Sequence, residues 1–164
     1  LKEGSKMTIH VALFEPQIPA NTGNISRTCA GTDTALHLIK PLGFSTEDKM
    51  LKRAGLDYWE HVDITYHDGI QEFIDAYPEG EFYFITKFGE TSYDTFDYSD
   101  TDKDIFFVFG KETTGLPNEI TEQYKESCLR IPMNDEHIRS LNLSNTAAIL
   151  IYEALRQQRF AHLT

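Results

Sequence analysis

Ile105-Phe106-Phe107-Val108-Phe109-Gly110-Lys111-Glu112-Thr113-Thr114-Gly115-Leu116-Pro117 decides how this chain is read. Its first five residues are all apolar, β-branched or aromatic, with no polar alternation. Such a run is a strand covered on both faces, as in a parallel sheet flanked by helices. Working outward, similar runs predict strands over 9–14, 35–39, 63–66, 82–86 and 128–131, besides 105–109 itself. Between them the pattern changes to helical periodicity, predicting helices over about 24–30, 48–54, 70–77, 118–124 and 145–160. Alternation of this kind defines an α/β fold with a mostly parallel sheet flanked by helices. Residues 89–103, rich in Asp, Ser, Thr and Tyr, read as an exposed irregular connection.

The 164 residues are enough for one domain with its own core. Met7 is expected to be the natural start, with 1–6 an upstream extension and 7–164 a single domain. The longest apolar stretch, residues 147–152, is far short of the roughly 20 residues of a membrane helix, so no membrane partner is expected. Cys29 and Cys128 stand far apart with neither a disulfide framework nor a zinc spacing, which fits a reducing cytoplasm. The six histidines show no ligand spacing and read as structural or surface groups, and no metal is expected.

The formal charge is −11, which on average argues against nucleic acid. The charge is segregated, however. Residues 57–126 hold 18 acidic and 4 basic residues, a net of −14, whereas the remainder holds 8 acidic and 11 basic, a net of +3. The flanks carry Arg27, the Lys49, Lys52 and Arg53 cluster, and Arg139. If the fold gathers them, they make a basic face suited to RNA, with binding that weakens as salt rises.

Three loops follow strands and contain Gly, Asn or Ser where a backbone approaches a ligand. The first, residues 15–27, is expected to turn into a helix near Asn24, whose free N–H groups and Arg27 would suit an anion. The second is the 109–117 loop. Its Gly-x-x-x-x-Gly lacks the Lys and Ser or Thr of a phosphate loop, because Leu116 and Pro117 stand there, so a phosphotransferase reading fails. A Rossmann reading fails as well, since no Gly-x-Gly-x-x-Gly occurs. The third, residues 131–145, sets Ser140, Asn142, Ser144 and Asn145 among Ile131, Met133, Leu141 and Leu143. That mixture suits a ligand with a heterocycle, such as a nucleoside, and Ser144 is the expected helix cap. The helix that follows is apolar nearly all round, so a dimer interface is expected on it.

In this order the three segments resemble the signature motifs of the SPOUT superfamily of RNA methyltransferases. The matching residues are Asn21-x-Gly23-Asn24-x-x-Arg27, Phe109-Gly110-x-Glu112-x-x-Gly115-Leu116, and Ile131-Pro132-Met133 followed by Ser140-Leu141-Asn142-Leu143-Ser144-Asn145. Residues 14–24 and 51–58 are similar to the small tRNA wobble-nucleotide 2′-O-methyltransferases of the TrmL type. The resemblance implies a C-terminal trefoil knot, a homodimer, and S-adenosylmethionine as methyl donor. It implies a cofactor pocket of Ile85, Thr86, Gly110, Ile131, Met133, Ser140, Leu141 and Asn145. It also implies that Arg27 meets the ribose hydroxyl, oriented by Asn21, Glu112, Ser140 and Asn142. An arginine stays protonated above pH 12 and is a poor base, so its role is read as stabilising the developing alkoxide or engaging the adjacent phosphate. A non-catalytic RNA-binding dimer, or a methyltransferase acting at another RNA site, stands as the alternative.

Overall fold

Every residue of β1 (Ile9–Phe14), β2 (Ala35–Ile39) and β6 (Ile105–Phe109) is buried, as their mostly apolar sequences favour, with one histidine each in β1 and β2. They form the centre of a seven-stranded sheet in the computed structural model, which describes residues 7–51, 53 and 59–164. Residues 1–6, Lys52 and 54–58 lie outside the described residues, and with them most of the 51–58 passage and the end of the helix expected over 48–54. Around the centre lie β3 (Ile64–His67), β4 (Glu81–Ile85), the short β5 (Thr91–Ser92) and β7 (Cys128–Arg130). The strand order is β3-β2-β1-β6-β4-β7-β5, and each paired neighbour is parallel.

Helices cover both faces. On one, Val11, Leu13, Leu36, Leu38 and Phe107 pack against Ile25 and Cys29 of α1 (Pro19–Thr32) and against Ala147, Leu150, Ile151 and Ala154 of α5 (Leu143–Gln157). On the other, Ala12, Phe14, Phe84, Phe106 and Val108 meet Phe73 and Ile74 of α3 (Ile70–Asp75) and Ile120 of α4 (Asn118–Gln123). A one-turn helix, α2 (Lys49–Leu51), packs beside α1. The apolar character of α5 is thus largely explained within the chain, with Tyr152 left exposed on its outer side.

Two expectations are corrected. Helix α1 begins at Pro19, five residues before the expected start, so Asn24 lies inside the helix rather than at its free end. Pro at the first helical position has the right φ and no N–H to leave unpaired. The 89–103 segment is not a loose connection, because Tyr98 is fully buried. Its backbone N–H donates to Gln157 Oε1 (2.7 Å), while Gln157 and Gln158 of the α5 terminus donate to the carbonyls of Phe96 and Tyr98.

The strand β7 sits between β4 and β5, although those two are consecutive in sequence. Their connection, residues 86–90, therefore lies across the end of β7. Thr86 N–H donates to Leu129 O (2.9 Å), and Arg130 Nη1 donates to the carbonyls of Gly89 (3.2 Å) and Glu90 (2.9 Å). A Cβ on Gly89 would stand 2.8 Å from the Leu129 carbonyl carbon, so only glycine permits the crossing. The chain reaches β7 from the face bearing α4 and leaves it for the face bearing α5.

Three histidines that are scattered in sequence converge across β1, β2 and β3. His10 Nε2 lies 3.1 Å from Asp104 Oδ1, His37 Nε2 pairs with His10 Nδ1 (2.9 Å), and His67 Nε2 pairs with His37 Nδ1 (3.0 Å). A neutral ring donates through one nitrogen and accepts through the other, so with Asp104 as the acceptor at one end the pairing of each ring sets that of the next. Burial, reinforced by His10 and His67, lowers the His37 pKa from its ordinary 6.5 to about 3. Unfolding lets His37 take up a proton below pH 6.5 that the fold refuses until about pH 3. Its contribution to stability is therefore complete above pH 6.5 and declines as the pH falls below it. Urea unfolding between pH 7.5 and 5 should show stability falling with a limiting slope near ~1.4 kcal/mol per pH unit per proton. A His37→Asn variant should show a flatter profile over the same range.

Candidate active site

The C-terminal ends of β4, β6 and β7 open onto a cavity of about 1050 Å³, where parallel α/β sheets generally bind their ligands. Its geometry rests on Glu112, in the loop between β6 and α4. The carboxylate accepts from the backbone N–H groups of Gln17 (3.0 Å) and Ile18 (2.7 Å), and more distantly from Asn21 Nδ2 (3.4 Å). Helix α1 has no side-chain cap of its own, and Glu112 places a negative charge at the positive end of its dipole. The anion site expected at this helix start is thus occupied from within the chain.

From Asn21 the network continues to the third loop, where Asn142 Nδ2 donates to Asn21 Oδ1 (3.1 Å). Asn142 Oδ1 accepts from Ser144 N–H (2.9 Å), Ser144 Oγ (2.5 Å) and Asn145 N–H (3.4 Å). Asn142, not the expected Ser144, is therefore the cap of α5, because the helix begins at Leu143.

The 110–115 loop is pinched shut. Lys111 and Gly115 exchange backbone hydrogen bonds (3.1 and 3.0 Å), and Gly115 adopts φ 73°, which suits glycine. A Cβ on Gly110 would lie 2.2 Å from the Gly115 carbonyl carbon, so the two ends of the loop touch through glycine backbone alone.

Ile85, Thr86, Gly110, Ile131, Met133, Ser140 and Leu141 all line the cavity, as do Asn21, Glu112, Asn142 and Arg139. Asn145 does not: it lies in the first turn of α5, with its N–H turned to the Asn142 cap. Arg27 is exposed on α1 and is not among the cavity walls. Six residues separate it from Asn21, a rise of about 9 Å along a helix. Lys49 and Arg53 are exposed and lie away from the cavity, and Lys52 is outside the described residues. The walls also include Lys87, Phe88, Lys125 and Thr146, which carry no motif to single them out. Gln17, within the 14–24 passage but assigned no role there, accepts through its side-chain oxygen from Thr113 Oγ1 (2.6 Å) and fastens the second loop to the first. Cys128 lines the cavity too, with its thiol pKa raised by burial, so it stays protonated and is no thiolate nucleophile. No group of three or more His, Cys, Asp or Glu among the described residues is placed to hold a metal ion.

Residues 8–152 match the sequence profile of the SpoU rRNA Methylase family. The chain belongs to this family. One relative, from Listeria monocytogenes, carries the name of a tRNA (cytidine(34)-2′-O)-methyltransferase. It is 68% identical over 157 residues, covering 96% of this chain and 92% of its own. A solved structure described as giving insight into 2′-OH methylation of C/U34 on tRNA is 40% identical. It has a TM-score of 0.83 and covers 93% of this chain and 97% of its own. An AdoMet-bound rRNA methyltransferase from Sinorhizobium meliloti is 25% identical with a TM-score of 0.80, covering 94% of this chain and 57% of its own.

Removing the Glu112 side chain leaves two backbone N–H groups and Asn21 without their acceptor. Glu112→Ala should lower the unfolding free energy by about 1–3 kcal/mol, measured in urea. Glu112→Gln, which keeps one acceptor oxygen, should fall between Glu112→Ala and the wild type.

Proposed function

We propose that this SpoU-family chain transfers the methyl group of S-adenosylmethionine to the 2′-hydroxyl of the tRNA wobble nucleotide, cytidine or uridine at the first anticodon position. The observation that carries the reading is the convergence of three separated loops on one cavity through Glu112, Asn21 and Asn142. The names of the similar proteins supply the substrate class.

The cavity suits the methyl donor in size and chemistry. Ile85, Ile131, Met133 and Leu141 offer apolar walls for a heterocycle, and the glycine-pinched 110–115 loop brings bare backbone to the rim. S-adenosylmethionine supplies a methyl group already activated by its positive sulfur. The protein therefore mainly aligns the reacting groups, an effect worth roughly 7–11 kcal/mol in favourable cases. Ser140 and Asn142 stand at the cavity wall as hydrogen-bonding groups for a ribose, and Glu112 holds Asn21 in place beside them.

We assign to Arg27 the stabilisation of the developing alkoxide or the hold on the adjacent phosphate. Since Arg27 stands outside the cavity of its own chain, a homodimer that sets the exposed face of α1 over a partner's cavity would complete the site. The exposed Tyr152 on α5 is consistent with such pairing. Lys49 stands on α2, which packs beside α1, and we assign tRNA contacts to Lys49, Arg53 and Arg139, and to Lys52, which lies outside the described residues. The crossing of residues 86–90 over β7 supports a trefoil knot in the single domain proposed for 7–164. We place the enzyme in the cytoplasm with its tRNA. No helix among the described residues is long and apolar enough to cross a membrane.

Incubation with labelled S-adenosylmethionine and unmodified tRNA tests the reading. The wild-type protein should incorporate label, whereas binding without incorporation would favour a non-catalytic RNA-binding dimer. Arg27→Ala should lose about 10²- to 10³-fold in transfer, as removal of one charge-stabilising donor does, with cofactor affinity by calorimetry unchanged. A fully active Arg27→Ala enzyme would falsify the assignment.

A further inference from the structure

Phe88 is 81% exposed, far more than any other large apolar side chain of the described residues. It is not carried on a loose loop. Its N–H donates to Thr86 Oγ1 (3.3 Å), Gly89 N–H donates to Thr86 O (3.1 Å), and the next turn of chain is fixed against Leu129 and Arg130. The ring is therefore held out into solvent by a rigid turn. The Lys87 ammonium lies 5.1 Å from its centroid and covers one face as a cation–π partner, leaving the other face open.

Phe88 also has a distinctive place. It lines the cavity already described and, with Lys87, Ile131, Met133 and Arg139, forms the wall shared with a second cavity of about 680 Å³. The far side of that second cavity brings Arg130, Pro132 and His137, with Asp135 and Glu136 also lining it. Lys87, Arg130 and Arg139 thus outnumber the two acids, in a chain whose net charge is −11. An open aromatic face beside a local excess of cations matches a nucleotide, whose base stacks and whose phosphate is anionic.

We propose that the second cavity receives a nucleotide of the RNA substrate next to the methylated one, its base stacked on the open face of Phe88 and its phosphate toward Lys87 and Arg139. This rests on the methyltransferase reading above and adds a position at which the enzyme grips its RNA. Phe88 is a substrate-positioning residue and takes no part in methyl transfer itself.

The test compares wild type with Phe88→Ala, Phe88→Leu and Phe88→Trp for binding of an unmodified tRNA anticodon stem-loop and, separately, of S-adenosylmethionine. Phe88→Ala should weaken stem-loop binding roughly tenfold, the order of a single base-aromatic stack. Phe88→Leu should resemble Phe88→Ala, Phe88→Trp should restore binding, and in Phe88→Ala the loss of RNA affinity should exceed any change in cofactor affinity. Unchanged RNA affinity in Phe88→Ala overturns the proposal, as does a Phe88→Leu variant equal to wild type. A loss of cofactor binding with RNA binding intact also overturns it, by assigning the ring to the first cavity. A wild-type protein that binds the stem-loop without methylating it would sink the methyltransferase reading, while the variants' affinities would still decide the stack.

Discussion

One carboxylate holds this site together. Glu112 reaches from the loop after β6 to the start of α1, where it accepts from Gln17, Ile18 and Asn21, residues more than ninety positions away in sequence. These are hydrogen bonds to an ionised acceptor and lie along the helix dipole, so they are among the stronger polar contacts available at a partly exposed position. Asn21, anchored by them, in turn accepts from the Asn142 amide nitrogen, while the Asn142 amide oxygen caps α5. The three loops are therefore one hydrogen-bonded unit, and the cavity is the space they enclose.

A second constraint is topological. With β7 inserted between β4 and β5, residues 86–90 must cross it, and Gly89 against the Leu129 backbone leaves no room for a side chain. The crossing fixes Ile85 and Thr86 at the floor of the main cavity and holds Phe88 at its lip. The same turn thus borders both cavities.

The sheet was legible in the sequence because its central strands are almost wholly apolar, broken only by His10 and His37, and apolar content is a local property. Its edges were less so: β5 is two residues long, and the 89–103 segment gains its order from Gln157 and Gln158, some sixty residues later. The start of α1 was misplaced for a similar reason, since its cap is a carboxylate from another loop and Ile18 gives no local sign of it. The motif residues around the cavity were legible as a set. The bonding of Glu112 to the backbone at the start of α1 was not, nor was the separation of Arg27 from the cavity, because both depend on how α1 is set against the sheet and the 110–115 loop. The histidine row was hidden by strand register: His10, His37 and His67 become neighbours only when three parallel strands are aligned. The acidic average of the chain says nothing about where its charge sits.

The most direct measurement is mass spectrometry of nuclease digests of unmodified tRNA treated with the protein and S-adenosylmethionine. The account predicts a single added methyl group on the ribose of the first anticodon nucleotide, cytidine or uridine. A methyl group on a base, on a ribose elsewhere in the RNA, or on no nucleotide would contradict it.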